Sequence, residues 1–131
     1  MELRSVEELM DLLYAGRHRH ALRTAALLRR ARPADKELQV AGLVRGIGPV
    51  LCPGDEAAGA DSAAQAVRSL LGERVSRLVR ADADPADDDV LRLRQAEEEG
   101  RTAAFDAGVL EDWRTVLELL AARRSRLGAV D

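Results

Sequence analysis

Residues 17–33 read RHRHALRTAALLRRARP, and the spacing of their apolar residues decides the fold class. Ala21, Leu22, Ala25, Ala26 and Leu28 recur at steps of three and four, which places them on one broad face of an α-helix running from about Arg17 to Ala31. Pro33 stops that helix, because it has no N–H to donate and its ring clashes with the preceding turn. Upstream, Ser5 followed by Glu8 reads as a capping box. Val6, Leu9, Met10 and Leu13 then repeat at helical steps until Gly16. Downstream, Asp35 caps a third helix carrying Leu38, Ala41, Val44 and, next in line, Arg45, with its end marked by Gly46, Gly48 and Pro49.

The rest of the chain repeats this pattern. Residues 51–60 are rich in Pro, Gly and Ala and read as an exposed loop. Asp61 or Ser62 caps a segment with Ala63, Ala66, Val67 and Leu70, and after Gly72 another carries Val75, Leu78 and Val79. Pro85 breaks the chain at residues 83–86. Asp87, Asp88 and Asp89 suit the positive end of a helix dipole, as a solvated cap more simply than a metal site, and open a helix through Val90, Leu93, Glu97 and Gly100 to about Ala104. After Gly108 a last helix sets Trp113, Val116, Leu117, Leu120 and Leu127 on one side and exposes Arg123, Arg124 and Arg126. That side serves core packing or, alternatively, homo-oligomerisation. No segment alternates like a strand, so an all-α single domain of about six or seven helices is expected over residues 1–131.

Composition narrows the function. The 131 residues are 47% hydrophobic and 33% charged, with one Phe, one Tyr and one Trp, so the core is Leu, Ala and Val. A net charge of −3, with so few aromatics, speaks against a nucleic-acid binder. Cys52 stands alone and forms no intrachain disulfide, and the start Met1, Glu2, Leu3, Arg4 lacks the blocks of a signal peptide. No uncharged apolar run nears the ~20 residues that span a bilayer. A cytoplasmic protein without a membrane partner is the expectation.

No phosphate-cradling Gly-rich loop, cysteine zinc spacing or nucleophile elbow is present. The informative feature is polar residues at positions that face inward on helical geometry. His20 borders the apolar face of the second helix. Asp82 follows Leu78 by four residues, and Glu97 follows Leu93 by four. Buried charges are costly unless paired, so these groups are expected to meet one another, a ligand or water. His18, between Arg17 and Arg19, is expected at the surface.

His-Ala-Leu-Arg-Thr-Ala-Ala at residues 20–26 and Leu-Gln-Val-Ala-Gly-Leu-Val-Arg-Gly-Ile-Gly at residues 38–48 resemble the HD-domain superfamily. The pattern is most similar to the small group that includes phosphonate-catabolism oxygenases, with His-Ala-Leu-Gln-Thr-Ala and, later, Ala-Ala-Leu-Leu-His-Asp-Ile-Gly-His. Residues 70–80 and 93–101 resemble later segments of that site, so the likeness spans about residues 5 to 120. The departures matter more. The metal-binding His-Asp doublet falls on Arg45 and Gly46, a following histidine on Pro49, two later histidines on Asp61 and Asp82, and the late aspartate on Glu97 or Glu98. Only His20 is kept, and a permanent cation at Arg45 repels a divalent ion.

The resemblance therefore implies a degenerate HD-type domain with neither metal nor other cofactor, whose former ligand positions His20, Arg45, Asp61, Asp82 and Glu97 surround one pocket. The reading is a metal-independent acid/base enzyme of isomerase, cyclase, lyase or hydrolase type in specialised metabolism, acting on a small molecule with an anionic group or a carbonyl. His20 is its general acid or base, tuned by Asp82 and Glu97, while Arg45 and Asp61 bind substrate. The alternatives are a non-catalytic accessory protein that binds a ligand or a partner, and residual metal binding through His20, Asp61, Asp82 and Glu97. For His20 a satisfied, partly buried histidine near Thr24, for Asp61 a plain helix cap, and for the others a structural ion-pair network stand as the simpler explanations.

Overall fold

A computed structural model describes residues 1–16 and 18–129, with side-chain environments given through Ser125. The described residues are all helical or connecting, with no strand. In order they form α1 (Val6–Ala15), α2 (His18–Ala31), α3 (Lys36–Val44), a 3₁₀ turn at Arg45–Ile47, the single turn α4 (Gly48–Leu51), α5 (Glu56–Leu71), α6 (Glu73–Val79), α7 (Asp88–Thr102), a 3₁₀ turn at Leu110–Trp113, and α8 (Arg114–Ala129). None of these helices is long and apolar enough to cross a membrane. Arg17, and the side chains of Arg126 and Leu127, lie outside the described residues.

The caps follow the local chemistry. Ser5 accepts the Glu8 N–H at 3.2 Å, Asp35 that of Leu38 at 3.1 Å, and Asp87 those of Asp89 and Val90. Each satisfies amides that the first turn leaves without partners. Helix α3 is the axis of the core: Leu38 through Val44 are all buried, and the helix packs against α2, α6, α7 and α8. An apolar helix surrounded on every side is what a near-continuous hydrophobic run produces. Its one buried amide, Gln39, donates to the carbonyls of Arg32 and Pro33 and so closes the C-terminal end of α2. Leu117, Leu120 and Trp113 join the same core, which accounts for the apolar side of α8.

Three expectations need correction. The loop read over residues 51–60 is confined to residues 52–55. Asp55 caps α5 by accepting the Ala58 N–H at 3.0 Å, and the helix starts at Glu56. Gly59 lets α5 lie against α4, since a Cβ there would stand 2.7 Å from the Gly48 carbonyl oxygen. Asp61 therefore sits within the second turn of α5 and caps nothing of its own helix. Helix α6 ends at Val79, so helical spacing from Leu78 and Val79 does not carry to Asp82. His18, expected at the surface, is half-buried and edge-on to the Tyr14 ring at 5.9 Å.

Candidate functional site

The α2–α7 contact builds the site. Arg23 Nε donates to the Gly100 carbonyl at 2.8 Å, and Thr24 Oγ1 donates to the His20 carbonyl at 3.0 Å. Gly100 is what allows the approach: a Cβ at that position would lie 3.2 Å from Thr24 Oγ1 and 3.5 Å from His20 Cδ2. The His20 ring thus turns its Cδ2 edge toward α7, and its Nε2 lies 2.9 Å from the carbonyl oxygen of Glu97. A carbonyl only accepts, so Nε2 carries the proton and a neutral His20 keeps its lone pair on Nδ1. Nδ1 belongs to the ring edge away from Gly100, and no described residue bonds to it.

The Glu97 side chain points to a different partner. Its Oε2 lies 3.0 Å from Arg45 Nε, and each side chain is only 16% exposed. Arg45 follows the last residue of α3, and its Nη1 donates to the Val79 carbonyl at 3.2 Å, a carbonyl that the end of α6 leaves available. One guanidinium therefore ties together the ends of α3 and α6 and the middle of α7. Burial pushes the Glu97 carboxyl above its ordinary pKa, while the charges of Arg45, His20 and Arg101 act in the opposite direction.

These groups line a cleft of about 580 Å³, the size of small-molecule sites. His20, Arg45, Glu97 and Arg101 line it, together with Cys52 from the α4–α5 connection and Glu56, the first residue of α5. Cys52 Sγ lies 3.3 Å from Ser62 Oγ.

Of the five residues that the sequence pointed to, the structure brings His20, Arg45 and Glu97 together. Asp61 and Asp82 are not part of the cleft lining. Asp61 is exposed and accepts the Ala81 N–H at 3.0 Å, pinning the chain that leaves α6. Asp82 is held by Arg80, two residues away, through two 3.0 Å contacts, with its side chain 67% exposed. Without these two, His20 and Glu97 face a guanidinium, and no group of three or more His, Cys, Asp or Glu converges among the described residues. The donor set does not fit a metal centre of the kind that the family resemblance would carry. Glu56 and Arg101 escaped the sequence reading. Arg101 lies four residues beyond Glu97 on the same face of α7, a detectable signal, whereas Glu56 was hidden in the stretch that reads as a loop.

No family model matches this chain, and no curated protein or solved structure does either.

Proposed function

We propose that the protein is a metal-independent acid/base catalyst acting on a small molecule, on a degenerate HD-type scaffold, with His20 as the proton-transfer group. The observation that carries this reading is the hydrogen bond from His20 Nε2 to the Glu97 carbonyl, which leaves Nδ1 of the neutral ring without a described partner on a residue that lines the cleft. Beside it, Arg45 uses Nε and Nη1 on protein partners, and no described residue engages its Nη2. Nη2 holds a substrate carbonyl or anionic oxygen, so that charge developing on that oxygen is stabilised while Nδ1 removes the neighbouring proton. Glu97 keeps Arg45 in place with its side chain and His20 in place with its main chain. It is a positioning residue, and Asp61 and Asp82 have no part in the chemistry.

The test compares the wild-type protein with His20→Gln and His20→Ala in a small-molecule extract of the host cells, followed by mass spectrometry. Glutamine retains an N–H donor for the Glu97 carbonyl but has no basic nitrogen. The expected result is one or more compounds transformed by the wild type and by neither variant, with both variants folded by circular dichroism. Transformation of the same compounds by His20→Gln overturns the assignment of the base. No transformation at all by the wild type favours the second reading, a ligand-binding protein without turnover. That reading draws on one observation: Arg45 and Glu97 already neutralise each other, as a structural pair would.

A further inference from the structure

The catalytic reading leaves two charged residues of the cleft, Glu56 and Arg101, without a task. Glu56, the first residue of α5, lines the same cleft as His20, Arg45 and Arg101, is exposed, and forms no hydrogen bond or ion pair with another described residue. Among the described residues Arg101 pairs with Glu98 alone, on its own helix at 3.4 Å, with both side chains more than half exposed. Both charges reach the buried pair at the back: Glu56 adds to the rise in the Glu97 pKa and Arg101 opposes it. Opposite charges thus line one cleft without meeting each other. A second opening is lined by the same Glu56, Arg45, Glu97 and Arg101, so these charges border both.

The balance of charge disfavours a ligand of one sign. Glu97 offsets part of the charge of Arg45, and a purely anionic molecule that meets the outer nitrogen of Arg45 also faces the carboxylates of Asp55 and Glu56. A purely cationic molecule meets Arg45 and Arg101. We infer that the cleft binds a zwitterion, an amino-acid-like molecule whose ammonium group faces Glu56 and whose carboxylate faces Arg101 and the outer nitrogen of Arg45. Its middle then lies in the space beside His20. This rests on the proposed function in one respect, the holding of an anionic group at Arg45.

The experiment is a calorimetric and NMR titration with glycine, 3-aminopropanoate, 4-aminobutyrate and 6-aminohexanoate, a series of increasing span, against butyrate and butylamine as single-ended controls. The expected result is that one member of the series binds at least about fivefold tighter than either control, the gain from one partly exposed ion pair. Glu56→Gln is expected to remove that gain and to leave butyrate binding no weaker. Butyrate binding as tightly as the best amino acid, a gain that survives Glu56→Gln, or no binding by any member of the series overturns the inference. The first of these outcomes leaves the His20 and Arg45 reading intact. Tightest binding by butylamine overturns both, since the anion-holding role of Arg45 goes with it.

Discussion

Arg45→Met and Glu97→Gln will have unequal effects, although the two residues share one ion pair. Arg45 has a second partner in the Val79 carbonyl, at the end of α6 where the peptide dipoles favour a cation. The Glu97 carboxylate has Arg45 alone among the described residues. Its pKa is raised because burial outweighs the attraction of Arg45. A carboxyl with a raised folded-state pKa binds its proton more tightly when folded, so ionising it lowers stability. That loss is absent well below the ordinary value of 4.5 and complete once the pH has passed the raised one. Glutamine imitates the protonated form, and Glu97→Gln is expected to change stability by less than about 1 kcal/mol at neutral pH. Methionine at position 45 keeps the apolar stem and removes the one ion-pair partner, among the described residues, of a carboxylate that is 16% exposed. An orphaned buried charge costs about 3 kcal/mol at the low end of its range, and the open cleft justifies the low end. At this chain length that is a fall in Tm of about 10 °C. The cost should shrink as the pH falls through the carboxylate range, because Glu97 then takes up a proton. Urea unfolding of both variants and the double variant, at neutral pH and at about pH 4.5, measures this. The double variant should recover most of what Arg45→Met loses. Equal losses from the two single variants at neutral pH, or a pH-independent cost of Arg45→Met, refute the reasoning.

Asp82→Asn should alter stability by less than about 0.5 kcal/mol and leave any turnover unchanged, because an exposed pair with Arg80 contributes little. Asp61→Ala should cost about 1 kcal/mol through the lost acceptor for the Ala81 N–H, again without affecting turnover; a loss of turnover in either variant would return that residue to the site. Gly59→Ala places a Cβ 2.7 Å from the Gly48 oxygen and 2.9 Å from its carbonyl carbon, contacts with backbone that cannot swing away. Its overpacking cost of about 2–3 kcal/mol exceeds the ~1 kcal/mol gain in helix propensity, so thermal melts should show a lower Tm. Arg74→Met removes the hub that binds Asp35, Glu37 and Asp89 and so joins α6 to α3 and α7. The hydrogen bond from Arg74 holds Asp35 below its ordinary pKa of 3.8, so this contribution is present above that value and is lost as the pH falls through the lower folded-state one. The variant should lose about 1–2 kcal/mol at neutral pH and progressively less in acid, as measured by urea unfolding.

Helical spacing is informative only while the helix lasts, and this decides which parts of the molecule were legible. Glu97 lies deep within α7, so its distance from Leu93 and Gly100 in sequence correctly placed it at the border of the buried face. Asp82 was reached by the same arithmetic from Leu78, but α6 stops at Val79 and the next residues turn outward, where Arg80 captures the carboxylate. Nothing at residues 80–82 marks the stop locally; Arg80 and Ala81 are ordinary helix formers. The stop comes from tertiary partners: Arg45 takes the Val79 carbonyl, Asp61 takes the Ala81 N–H, and Arg94 donates to the carbonyls of Ala81 and Ala83. All three come from other helices, and single-chain periodicity cannot register them. The opposite error at residues 56–60 has an equally physical origin: Pro53 and Gly54 do turn the chain, but Asp55 then caps a helix that Glu56, Ala57 and Ala58 favour by propensity.

The glycines packed around the end of α3 explain why a single side chain there serves the cleft. At Gly46 a Cβ would stand 2.8 Å from the Ala21 Cβ, and at Gly16 one would stand 2.7 Å from the Gly46 oxygen, so the 3₁₀ turn after α3 is pressed onto α2 and the end of α1. A side chain that reached into the cleft from position 46 would have to separate those elements. The turn therefore presents a single functional side chain, Arg45, which reaches out of the close-packed backbone toward α6 and α7. A residue there must be long and must satisfy Glu97, and it must do so without help from its neighbour. Arginine meets all three conditions and still leaves one nitrogen without a described partner. Lysine, with one nitrogen at the end of a similar stem, would have to choose between Glu97 and the Val79 carbonyl. Arg45→Lys should for that reason keep most of the stability that Arg45→Met loses, yet lose the binding of an anionic group in the cleft. Anion binding retained in that variant would show that Nη2 of Arg45 is not the group that holds it.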